Sequence, residues 1–257
     1  MKGAAQMKEA LLLGESWTTH MTHQKGFDSF TTTEYVEGGV EFREALESDG
    51  WKVTHVPAHA IEAQFPRTMS ALKHYDLVVI SDVGANTFLL TRAVFNRSIA
   101  EPNRLELLRE YVLDGGGLLM VGGYLSFSGV DGKANYANSP IASLLPVTLL
   151  KTDDRAERPE GASVKVVDAA HPALGGVGED WPALLGFNRT ELREGATLLA
   201  EVDGFPLVAV ADAGSGCTGA FTSDMSPHWA PPPFMNWPGY GPLWRGLADW
   251  VAGAKTR

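Results

Sequence analysis

The sequence predicts an α/β fold built on a mainly parallel sheet, and three observations carry that prediction. Tyr75 to Ser81 (YDLVVIS) is a continuous apolar run with β-branched residues, the pattern of a strand buried on both faces. Asn103 to Leu113 has helical spacing, with Leu105, Leu107, Leu108 and Val112 as an apolar stripe, Asn103 as the cap and Gly115 to Gly117 as the stop. Leu118 to Val121 follows at once as a second buried strand. Strand alternating with helix in this way is how a parallel sheet is written along a chain.

The remaining elements fall into place around these. Ala10 to Gly14 reads as the first strand. Glu15 to Gly39 is polar, threonine-rich and long, and is expected to be a loop that folds over the strand ends. Val40 to Ser48 reads as a helix ended by Asp49-Gly50, and Trp51 to Val56 as a strand. Pro57 to Lys73 holds one or two short helices interrupted at Pro66. After Pro146 the texture becomes β-rich. Leu149 to Asp168 and Thr197 to Asp212 read as β segments, with a hairpin around Asp203-Gly204. Cys217 to Thr222 is a further strand and Leu243 to Ala252 a closing helix. A single domain over residues 1–257 is expected, with residues 147–212 as a β-rich extension.

Composition narrows the function classes. The chain has 257 residues, 44% of them hydrophobic, enough to bury a full core without staples. Its formal charge of −10, with no run of Lys or Arg, argues against nucleic acid as a partner. No stretch of eighteen apolar residues occurs, so no membrane partner is expected. The one cysteine, Cys217, cannot form an internal disulfide, which suits a cytoplasmic location.

The strand Leu118 to Val121 opens into a glycine-rich turn, Gly122-Gly123-Tyr124-Leu125-Ser126-Phe127-Ser128-Gly129. The carboxyl ends of parallel strands are where ligands sit in such sheets. Together with YDLVVISD and the late segment Ser223-Asp224-Met225-Ser226-Pro227-His228-Trp229, this turn resembles the class I glutamine amidotransferase-like superfamily. The nearer resemblance is to its branch described as putative glutamine amidotransferase, beside the trehalose-utilisation-like proteins. It covers nearly the whole chain and implies a flavodoxin-like three-layer α/β sandwich. The superfamily's amidotransferases carry a Gly-x-Cys-x-Gly elbow at this turn, where this chain has Tyr124. They also place a glutamate two residues after the catalytic histidine, where this chain has Ala230 after His228. Thioester hydrolysis of glutamine requires a thiolate at the elbow, so that activity is not carried over.

The residues themselves nominate a site. His228, in the position the resemblance gives to the catalytic histidine, is a candidate base oriented by Asp224; the competing reading is a histidine at the core's edge. Tyr124 can donate a hydrogen bond or act as an acid, or simply pack against a loop. Asp82, after the strand ending at Ser81, can bind hydroxyls or a cation, or cap a following helix. Glu15, Ser16 and Trp17, at the end of the first strand, should face the same crevice, as should Gly123 and Ser126. His20 and His23, with Asp28, form an H-x-x-H on the long polar segment. Two histidines without a clear third ligand favour contact with a polar ligand over a divalent metal, and no cofactor is expected. Trp229 and Trp237, beside Pro231-Pro232-Pro233, are candidates for a ligand wall or a subunit interface, while Trp244 and Trp250 read as core.

Two functions are compatible with this pattern. The first is an amidotransferase-like protein that binds or transforms a small polar, sugar-like metabolite at the strand ends, by hydrolysis or isomerisation if it is an enzyme. The second is a non-catalytic binding or assembly module, a homo-oligomer joined through the Trp- and Pro-rich segment.

Overall fold

The computed structural model describes residues 7–253. Its frame is an eight-stranded sheet. Five strands are parallel: β1 (Glu9–Gly14), β4 (Lys52–Val56), β5 (Leu77–Ser81), β6 (Gly117–Val121) and β14 (Gly216–Phe221). The spatial order β4-β1-β5-β6-β14 continues antiparallel through β13 (Phe205–Ala213), β12 (Thr197–Val202) and β9 (Val164–Val166). All residues of β5, β6 and β14 are buried, as the apolar runs of β5 and β6 predict; β14 also buries Thr218. Helices cover both faces, which makes the fold the flavodoxin-like three-layer sandwich. On one side α1 (Val40–Glu47) and α7 (Tyr240–Ala252) pack Phe42, Leu243, Trp244 and Leu247 onto Leu12, Val79 and Leu119. On the other lie α2 (Ile61–Gln64), α3 (Met69–Leu72), α4 (Asn86–Leu89), α5 (Arg92–Arg97) and α6 (Arg104–Leu113), burying Leu72, Phe88, Leu105 and Leu108 against Leu11, Val78 and Leu118. No helix among the described residues is long and apolar enough to cross a membrane.

Local chemistry sets several boundaries. Asn103 caps α6, its Oδ1 accepting from the backbone N–H groups of Leu105 (3.0 Å) and Glu106 (3.3 Å). The β12–β13 hairpin closes on Asp203-Gly204, both left-handed (φ 49° and 79°), the turn such dipeptides favour.

Two departures from expectation matter. Residues 15–39 are not a loop: β2 (Ser16–Lys25) and β3 (Asp28–Glu37) form a ten-against-ten hairpin, paired from Ser16↔Glu37 to Lys25↔Asp28. Its threonines, which read as loop polarity, are strand residues exposed on both faces of a two-stranded ribbon. The β-rich segment after Pro146 is also more divided than expected. It contains β7 (Val147–Leu149) paired with β11 (Thr190–Leu192), and β8 (Arg155–Ala162) paired with β10 (Leu184–Asn188). The β10 and β11 strands lie between the two β segments expected from sequence.

This β-rich segment fastens the turn that follows β6. Asp154, fully buried, accepts from the N–H groups of Ser128 (2.8 Å) and Gly129 (2.9 Å) and from Asn188 Nδ2 (2.8 Å). Asn188 in turn accepts from Gly123 N–H (3.0 Å) and donates to the Gly123 carbonyl (3.2 Å). Truncating Asp154 leaves three buried donors unpaired, at about 1–3 kcal/mol apiece before relaxation. Asp154→Ala should therefore destabilise the fold by about 3 kcal/mol or more in urea unfolding; a loss below about 1 kcal/mol would contradict this account of the turn.

Candidate functional site

Four parallel strands end at one edge of the sheet, and the residues just past β1 and β5, with those three positions past β6 and β14, meet in a common cleft of about 350 Å³. Its lining comprises Glu15, Trp17, Asp82, Tyr124, Asp224, Ser226, Pro227 and His228. The convergence follows from register: Gly14 lies opposite Ser81, Ser81 opposite Val121 and Val121 opposite Phe221.

Glu15 and Asp82 reach the cleft through an uncommon backbone. Both are non-glycine residues in the left-handed region, at φ 48° and 43°, a conformation that tends to collect where function demands it. Gly14 permits the first of these turns, because a Cβ there would lie 2.1 Å from the Ser81 carbonyl oxygen. Gly123 (φ 144°) leaves room for Asp82, whose Oδ1 would sit 2.8 Å from a Cβ at that position.

Glu15 is almost wholly buried. Its Oε2 accepts a 2.5 Å hydrogen bond from the Ser81 hydroxyl. Burial, then the negative charges of Asp224 and Asp82, push its pKa up to about 8. Asp82 accepts from the Leu125 N–H at 2.7 Å, and its own N–H donates to Ser126 Oγ at 3.0 Å. Burial and Asp224 raise it to about 6. Asp224 is buried, accepts from the Ser226 N–H at 3.1 Å, and lies 3.6 Å through Oδ2 from His228 Nδ1. Burial raises the Asp224 pKa, against the pull of His228; Asp224 in turn raises that of the half-exposed imidazole.

The rings form the other wall. Tyr124 meets His228 edge-to-face with centroids 4.4 Å apart. Its hydroxyl donates to Glu157 Oε1 at 2.8 Å, and the Arg155 guanidinium lies 4.5 Å from its ring centroid. Burial and the Glu157 carboxylate raise the phenol's pKa, so it stays protonated.

The structure thus brings together Glu15, Trp17, Asp82, Tyr124, Asp224 and His228 of the residues nominated from sequence. The others lie differently. Ser126 is buried beneath Asp82 and positions it. Gly123 is held by Asn188. Ser16 Oγ accepts from the Ala58 N–H at 2.8 Å and ties the hairpin's root to the body. Trp229 is buried behind Tyr124, its indole N–H donating to Glu157 Oε2 at 3.0 Å. Trp237 packs on Trp181 and Phe234. His20 and His23 stand on a strand three residues apart, hence on opposite faces of it. Each bonds within the hairpin, His20 to Thr33 and His23 to Thr32. Among the described residues, no cluster of three or more His, Cys, Asp or Glu side chains could hold a metal ion.

Sequence reading missed Arg155, Glu157, Asp154 and Asn188. They lie more than twenty residues from the turn they support, and nothing near them in the sequence marks them. Ser226, whose Oγ accepts from the Gly39 N–H at 2.8 Å, also lines the cleft. Cys217, the second residue of β14, lies opposite Gly117 at the far end of the sheet from the cleft, and its thiol donates to Asp212 Oδ1 at 3.3 Å.

Comparison with known proteins agrees with this architecture. The family model described as putative glutamine amidotransferase (GATase1_like) matches residues 9–253. A cytoplasmic protein of Salmonella typhimurium is 43% identical over 94% of this chain and 98% of its own, with a TM-score of 0.91. A second cytoplasmic protein, from Salmonella typhimurium LT2, is 42% identical over 95% of this chain and 99% of its own, also at 0.91. A ThuA-like protein of Parabacteroides merdae shares the fold at 15% identity and a TM-score of 0.55, over 96% of this chain and 90% of its own. A search of curated proteins returned no match. The extent of the family match and the geometry of the strand ends lead to one conclusion: the chain belongs to the GATase1_like family of putative glutamine amidotransferases.

Proposed function

We propose that this protein binds a small, polyhydroxylated, sugar-like metabolite in the cleft and acts on it by proton transfer, in the cytoplasm, without thioester chemistry. The observation that supports this most is the meeting of three carboxyls from separate strand ends with His228 and Tyr124 in one open cleft. Sugar hydroxyls both donate and accept, and this set of side chains offers both partners.

The split in acidity suggests the roles. At neutral pH Asp82, with its pKa near 6, is mostly ionised and serves as the base. Glu15, near 8, is mostly protonated and serves as a hydrogen-bond donor to a ligand hydroxyl. His228, with Asp224 at Nδ1, presents Nε2 to the ligand and returns the proton. Trp17 and Tyr124 supply ring surface for the apolar face of a sugar. Against glutamine hydrolysis stands Tyr124 at the elbow, with the sole cysteine buried at the sheet's other end.

Ligands that bind only the folded chain raise its melting temperature, so a thermal-shift screen of monosaccharides and polyols tests the reading. At least one should stabilise the wild type. Asp82→Asn should weaken that ligand about tenfold or more, the equivalent of about 1.4 kcal/mol, and abolish turnover while leaving the fold intact. A screen without a hit, or an unchanged ligand affinity in Asp82→Asn, would refute it. So would sustained ammonia release from glutamine by the purified protein.

Glu15 also gives stability a direction with pH. Its folded pKa, about 8, lies above the unfolded value of 4.5. Between the two the unfolded chain releases a proton that the native state retains, so stability falls as pH rises from about 4.5 to 8. Glu15→Gln keeps an acceptor for Ser81 and removes the titration. The variant should melt higher than wild type at pH 8, by about 2–4 °C per kcal/mol recovered, and the gap should close towards pH 5. A gap independent of pH would contradict the assignment.

A further inference from the structure

Beyond its root, where Trp17 lines the cleft and Glu37 lies 3.8 Å from His55, the β2–β3 hairpin projects from the body of its own chain. Its root is tied down by Ser16 to Ala58 and by Tyr35, edge-to-face on His59 at 5.2 Å. Along the rest of its length, the side-chain contacts found among the described residues run between its own two strands: His20 to Thr33, Thr22 to Thr31, His23 to Thr32 and Phe30. Ten residues of strand reach about 34 Å from that root. A two-stranded ribbon is at best marginally stable alone in water.

Its two faces differ. Pairing places Trp17, Thr19, Met21, His23 and Lys25 on one face with Val36, Glu34, Thr32, Phe30 and Asp28. Thr18, His20, Thr22 and Gln24 take the other with Tyr35, Thr33, Thr31 and Ser29. The first face leaves Trp17, Met21 and Phe30 at 37%, 44% and 48% exposure, and Phe27 at the tip is wholly exposed. Tyr35, 44% exposed on the other face, lies at the root against His59, so beyond the root the exposed apolar side chains gather on one side, which marks a contact surface.

We propose that this hairpin is an exchanged arm: it lies across a second copy of the same chain, with the Trp17–Met21–Phe30 face against that copy. Area favours this occupant. A ribbon about 34 Å long and roughly 12 Å wide covers about 400 Å², so one docked arm buries about 800 Å² in total, too little for a stable complex on its own. A twofold dimer docks two arms and reaches about 1,600 Å², the size of a standard interface. Charge permits it, because the face carries Lys25 against Asp28 and Glu34, one net negative charge in a chain of −10. Of the two rings that sequence nominated for subunit contact, Trp229 is buried and Trp237 packs on Trp181. Trp17 stands at the root of the arm's apolar face and also lines the cleft, so the surface that covers this face completes the cleft's rim.

The test is the mass of the full-length chain in solution by light scattering, at tens of micromolar. Wild type should show twice 27.6 kDa. Met21→Glu with Phe30→Glu should show 27.6 kDa, with the melting temperature little changed, while Thr22→Glu with Thr31→Glu on the opposite face should stay dimeric. A monomeric wild type, or a dimer that survives the first pair, would overturn the proposal. Should the first pair unfold the protein, lysine cross-linking of a mixed ¹⁴N/¹⁵N wild-type sample decides. Lys25 cross-links between the two isotopes support the exchange, and cross-links confined to one isotope refute it.

Discussion

The architecture of the cleft rests on two left-handed residues. Glu15 follows β1 and Asp82 follows β5, in strands that lie side by side and end in register. Non-glycine residues in this conformation cost of order 1–3 kcal/mol each, and a buried carboxyl adds a desolvation penalty. Both costs fall on the same two residues, and both are offset by neighbours. Ser81 and the Leu125 N–H hydrogen-bond the carboxyls, and the fully buried strands beneath fix the backbone that presents them. A regular continuation of either strand would send these side chains elsewhere, and the three-carboxyl constellation with Asp224 would not form.

The antiparallel half of the molecule matters for the same reason. Asp154 and Asn188 hold the turn after β6 through backbone hydrogen bonds, so that Gly123 can pass close to Asp82. Glu157, from β8, takes the hydroxyl of Tyr124 and the indole N–H of Trp229. Half the site's scaffold therefore comes from a region with no reacting group of its own. This is a preorganised arrangement, in which the ring wall is set before any ligand arrives.

Much of this was legible in the sequence, and the boundary has a physical basis. Buried parallel strands such as β5 and β6 announce themselves as unbroken apolar runs, and Asn103 and the Asp203-Gly204 dipeptide each act through backbone groups a few residues away. Residues at strand ends inherit their position from those strands, which is why Glu15, Asp82, Tyr124 and Asp224 could be named together. Partnerships set by tertiary packing left no such trace. Nothing near Asp154 or Glu157 tells which turn they support. The hairpin was misread because its strands are solvated on both faces, so the alternation that betrays a half-buried strand is faint between Trp17 and Lys25. His20 and His23 shared that error: a spacing that suits a metal on a helix or loop separates the two rings on a strand.

The claim at the centre of this account is that burial and mutual repulsion split the cleft's carboxyls into an ionised base and a protonated donor at neutral pH. Carboxyl ¹³C NMR titration of the wild type, assigned by the resonances lost in Glu15→Gln and Asp82→Asn, measures it directly. The account predicts Asp82 near 6 and Glu15 near 8. Midpoints near 4 for both, as for solvated carboxyls, would contradict it.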